Sequence, residues 1–157
     1  MIAILPVSGI AAQSSPDDPA IIKAKKETAA VFDLGRMFGY LNTMEKKEKK
    51  LSLNKEQMEE LYRIMNRIRQ ADRMEPEAAE EMLTTIEDDI LTPDQLMYTD
   101  QLAIERMNTR TPKTGSGGGQ ITSYIAGGPF NPMKDPSKTI GKDFDAFYKY
   151  LSKKLGK

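Results

Sequence analysis

The chain has no cysteine, no histidine and no tryptophan among its 157 residues. Without cysteine there is no disulfide framework, no thiol nucleophile and no lipid-bearing cysteine. Without histidine the usual base near neutral pH is missing, and so is the commonest metal ligand. Zinc of the Cys/His kind is excluded. The carboxylates do not fall at EF-hand spacing, and no metal or cofactor is expected. Acidic and basic residues balance at 23 each, so no net charge points to nucleic acid. No apolar run reaches the ~20 residues that cross a bilayer, and no integral membrane segment is expected. Strand patterns are absent as well.

The start of the chain, MIAILPVSGIAAQSSPD (residues 1–17), joins an apolar run to small residues. That is the order of the hydrophobic core and cleavage end of a secretory signal, although the basic start is missing. The reading is an exported, periplasmic or otherwise extracytoplasmic protein, with a short flexible arm as the alternative. A cytoplasmic location stays open.

Charge is segregated along the chain. Residues 19–73 carry 13 basic and 8 acidic residues, residues 74–108 one basic and 10 acidic, and residues 109–157 nine basic and three acidic. Acidic helices lying against basic ones in one bundle would produce this pattern, and so would an acidic surface that docks a basic partner.

Apolar residues recur at helical spacing in five segments. The first, residues 18–50, opens on Asp18-Pro19 and carries Val31, Leu34, Met37, Phe38, Leu41 and Met44. Gly35 and Gly39 lie four apart on it, which a close helix crossing or a bend would explain. The second, residues 55–71, carries Met58, Leu61, Met65 and Ile68. The third begins near Glu75-Pro76 with Ala79, Met82, Leu83, Ile86 and Ile90, and the fourth begins at Pro93 and carries Leu96, Met97, Leu102, Ala103 and Met107. The short connections make these helices antiparallel neighbours. Residues 109–141, with TGSGGGQ and AGGPFNP, read as a Gly/Pro/Ser-rich linker, which Ile121, Tyr124, Ile125 and Phe130 could tack onto the bundle. The triple glycine lacks the Gly-Lys-Ser/Thr of a phosphate loop. Residues 142–157 form an amphipathic C-terminal helix bearing Phe144, Phe147, Tyr148 and Leu151. The expected fold is all-α: short antiparallel helices in a small bundle or hook, with residues 1–17, 18–108, 109–141 and 142–157 as its parts.

Two helix starts repeat a pattern. In Leu91-Thr92-Pro93-Asp94-Gln95, Thr92 suits the N-cap, Pro93 the first helical position and Gln95 the third, a capping box with Leu91 and Leu96 as the staple. In Leu53-Asn54-Lys55-Glu56-Gln57, Asn54 takes the cap and Gln57 the box. Helix punctuation explains both. The pair also resembles the LTxxQ pattern of the Spy and CpxP family of periplasmic proteins. The second motif matches in full and the first has Asn for Thr. The spacing of 38 residues is short for that family, and the glycine-rich segment and aromatic helix lie outside its pattern. The resemblance implies an all-α, hook-shaped and usually homodimeric protein that binds unfolded clients or partner proteins without ATP.

Three functions follow as expectations. The first is a non-enzymatic, chaperone-like envelope protein that presents Leu61, Met65, Leu83 and Ile86 to unfolded clients. Its ten methionines suit adaptable binding faces and equally well fill cores. The second is an adaptor that docks Phe144, Phe147, Tyr148 and Leu151 in a partner's groove. The third, an enzyme, is not expected: Glu80, Glu81, Glu87, Asp88 and Asp89 form no recognisable acid–base pair.

Overall fold

The computed structural model describes residues 17–110 and 118–157. The signal-like start lies outside the described residues except for Asp17, and so do the first four residues of the TGSGGGQ stretch. The described residues form seven α-helices: α1 (Pro19–Glu27), α2 (Ala29–Lys47), α3 (Lys55–Gln70), α4 (Pro76–Thr84), α5 (Pro93–Thr109), α6 (Gly118–Ile125) and α7 (Thr139–Leu155). The fold is an all-α bundle. No described helix is long and apolar enough to cross a membrane.

Helix α2 is the axis. It packs against α7, α4 and α5, and α3 lies along α7. Val31, Leu34, Phe38, Leu41 and Met44 of α2 are fully buried. Phe38 meets the ring of Phe144 edge-on at 5.3 Å and Phe147 at 6.3 Å. Gly35 and Gly39 mark a close crossing rather than a bend. A methyl group on Gly35 would overlap Ile140 of α7, and one on Gly39 would come within 2.9 Å of Asp143 Oδ2.

The first helix is divided where a single one was expected. The Thr28 hydroxyl donates to the Ala24 carbonyl at 2.7 Å, and such back-bonding bends or interrupts a helix. The third expected helix is also divided. After Thr84 it widens to a π-turn (Thr85–Ile90), where Thr85 bonds back to the Glu81 carbonyl at 2.9 Å.

The linker expectation needs the larger correction. Residues 118–141 contain α6 and a 3-10 turn (Pro132–Lys134), and Ile121, Phe130 and Met133 are buried. Ile125 stays exposed and Tyr124 is half-buried. Polar stitching does the rest. The Asn131 amide donates to the Ile68 and Ala71 carbonyls, both at 2.8 Å, and so closes the C-terminus of α3. Arg73 donates to the Gly128 carbonyl at 2.7 Å, while Met74 N–H and Phe130 N–H bond across at 2.7 and 3.0 Å. One hydrophobic cluster includes α2, α3, α4, Phe130, Met133 and α7. Residues 18–108 and 142–157 therefore share a core.

Gly141 sits where α7 begins, and a methyl group there would overlap the Asp135 carbonyl oxygen. Backbone cannot yield as a side-chain tip can. We expect Gly141→Ala to lose roughly 3 kcal/mol or more and Gly39→Ala about 1 kcal/mol or less, measured by urea unfolding. Equal losses would contradict the backbone contact described for Gly141.

Candidate functional site

The two repeated helix starts meet. Both are complete capping boxes. Asn54 accepts from Gln57 N–H and Gln57 Oε1 from Asn54 N–H, each at 2.9 Å. Thr92 accepts from Gln95 N–H at 3.3 Å, and Gln95 Oε1 accepts from Thr92 N–H at 2.9 Å. The glutamine amides then reach across to each other. Gln57 Nε2 donates to Gln95 Oε1 at 2.7 Å and to the Ile90 carbonyl at 2.8 Å. Gln95 Nε2 donates to Gln57 Oε1 at 3.4 Å and to the Leu51 carbonyl at 3.0 Å. Each side chain uses two donors and two acceptors, the full capacity of an amide. Both are buried. A glutamate would serve the box equally well but would bring no N–H to this exchange, and two would set carboxylates face to face. That both positions are Gln was the signal in the sequence. Pairing across 38 residues could not be read from it.

Leu53 and Leu91, the residues before the caps, are buried beneath this junction. Leu53 N–H donates to Glu45 Oε1 at 2.5 Å, and the Tyr150 hydroxyl donates to Glu45 Oε2. Glu45 is itself buried, so one carboxylate of α2 clamps the first motif and α7 together. The junction orients helices. It offers no acid–base pair and no open groove.

The residues proposed to meet partners are occupied within the fold. Leu61, Met65, Ile86, Phe147 and Leu151 are fully buried and Phe144 nearly so, while Leu83 and Tyr148 are half-buried. Tyr148 stacks on Tyr62 with ring centres 5.0 Å apart and lies under the Arg69 guanidinium. A partner could reach Leu61, Met65, Ile86, Phe147 and Leu151 only by opening the bundle. The apolar side of α7 is core.

Helix α5 supplies the open apolar surface: Met97 and Met107, apolar positions of the fourth expected helix, face outward. Its buried residues are the polar Gln95 and Thr99. Met97, Ile104 and Met107 are 67 %, 54 % and 69 % exposed, and spacings of seven and three put them on one side. The pattern is inverted because Gln95 must face Gln57. Acidic residues flank the stripe. Among the described residues, Glu75 alone of the acids in 74–108 has an ion-pair partner. Burial and the neighbouring Asp100, Asp88 and Asp33 push the Glu87 carboxyl above its usual range.

Compared with family models, curated proteins and solved structures, the chain matches none. The likeness to LTxxQ proteins rests on the motif residues.

Burial, followed by the Glu45 carboxylate, pushes the Tyr150 hydroxyl from 10.0 up to about 12. The fold therefore favours the neutral phenol. That contribution is complete below pH 10.0 and lost as pH rises through about 12. Urea midpoints measured across this window should fall more steeply for the native chain than for Tyr150→Phe. Parallel curves would show that the clamp does not sense the phenol's charge.

Proposed function

We propose that the protein is a non-enzymatic polypeptide-binding protein of the cell envelope that shields unfolded or partner chains without ATP. The observation that carries this reading is the outer face of α5. Three large apolar side chains stand in solvent along one helix whose buried residues are the polar Gln95 and Thr99. Scattered apolar residues on a surface are ordinary, but an aligned set marks a contact surface. Two are methionines, whose flexible thioethers adapt to varied side chains. The acids around the stripe favour segments that combine apolar and basic residues, and they attract such chains over about a Debye length. The LTxxQ resemblance and the signal-like start support the envelope location.

The test is light scattering of an aggregating model client with the purified chain and no ATP. The native protein should suppress aggregation at near-stoichiometric ratios. A Met97→Ser, Ile104→Ser, Met107→Ser variant should lose the effect while keeping its helical circular dichroism and melting temperature. Undiminished suppression by that variant would remove α5 as the binding face.

A further inference from the structure

Two adjoining cavities open between α2, α5 and the start of α7, and nothing in the proposed polypeptide binding uses them. The first, about 120 Å³, is lined by Arg36 of α2, Arg106 of α5, Arg110 just after it, and Lys138 and Thr139 at the start of α7. No carboxylate lines it. Arg36 pairs with Asp33, but among the described residues Arg106, Arg110 and Lys138 have no ion-pair partner. Helix α7 begins here without a side-chain cap and without an acidic residue in its first turn. Its first N–H groups are those that a helix leaves without internal partners, and they favour negative charge.

The second cavity, about 230 Å³, shares Arg36 and Arg106 and has a different character. Asp143 lines it across from Arg106, and the two make no ion pair within 4.0 Å. Asn42 also lines it, is 8 % exposed, and its buried Oδ1 has no hydrogen-bond partner. Such an acceptor costs stability unless a donor reaches it. Burial raises the Asp143 carboxyl above its usual range, while Arg106 and Lys46 pull it back.

We infer that these cavities form one site for a phosphate monoester. The phosphate sits among Arg36, Arg106, Arg110 and Lys138, and a hydrogen-bond-donating substituent lies beside Asp143 and Asn42. Three cations around one cavity without an ion pair, with Asp143 and Asp135 acting on Arg106 and Lys138 only at longer range, call for a multiply charged oxyanion. Guanidinium forks from two helices match the edges of a tetrahedral phosphate. The anion would also fill the role of the missing cap on α7. In the second cavity the Asp143 carboxylate and the unpaired Asn42 oxygen offer acceptors to an ammonium or hydroxyl group carried by the ester. Free phosphate shares the first half of this chemistry and lacks the second.

Isothermal titration calorimetry of the full chain at low salt tests this with inorganic phosphate, ethyl phosphate and O-phosphoethanolamine. All three should bind, with O-phosphoethanolamine tightest. Arg106→Ala should weaken all three by roughly tenfold or more, Asp143→Asn should remove the preference for O-phosphoethanolamine, and Lys154→Ala on the far end of α7 should change nothing. Arg110→Ala, exposed and just beyond the end of α5, repeats the test if Arg106→Ala fails to fold. No binding at millimolar concentration, or binding unchanged in the arginine variants, overturns the site. Equal affinity for the two esters overturns the role given to Asp143 and Asn42.

Discussion

The buried exchange between Gln57 and Gln95 fixes the rest of the molecule. A capping box alone organises one helix end and is worth about 1 kcal/mol. Here each box lends its glutamine to the other, so two helix starts and the two turns before them become one hydrogen-bonded unit. In a buried site the cost of leaving such amides unpaired exceeds the gain from making the bonds. The two helices are thereby held in one rotation about their axes.

That rotation has a functional consequence. With Gln95 and Thr99 turned inward, α5 has to present Met97, Ile104 and Met107 outward. An ordinary amphipathic helix would bury these side chains and gain about 2 kcal/mol for each. The bundle forgoes that gain, and its core is built from α2, α3, α4 and α7 without α5's apolar side. The polar junction and the exposed stripe are two sides of one arrangement. Glu45 completes it by tying the first motif to α7, the helix that closes the other side of α2.

The all-α class, the caps at Asn54 and Thr92, and the core positions of α2, α3 and α7 were legible because they follow from local rules: period, capping and staple. Four features were not. Composition pointed to a linker in residues 109–141, yet Phe130 and Asn131 anchor residues 118–141 through contacts with Asp72, Ile68 and Ala71 that no local pattern encodes. The divisions at Thr28 and after Thr84 arise from hydroxyls that bond back to carbonyls, a choice threonine makes only in some contexts. Leu61, Met65, Ile86 and Phe147 are core rather than open surface, but an apolar stripe reads the same whether the chain's own helices or another protein covers it. The outward face of α5 was hidden for a related reason: its direction is set by a glutamine 38 residues away.

A double-mutant cycle on Gln57→Ala and Gln95→Ala, read by urea unfolding, tests the central claim most directly. The account predicts strong coupling. Either single substitution should cost roughly 2 kcal/mol, and the double variant should cost at least about 1 kcal/mol less than their sum. Costs that simply add would show two independent helix caps, and the link between the junction and the outward face of α5 would fail.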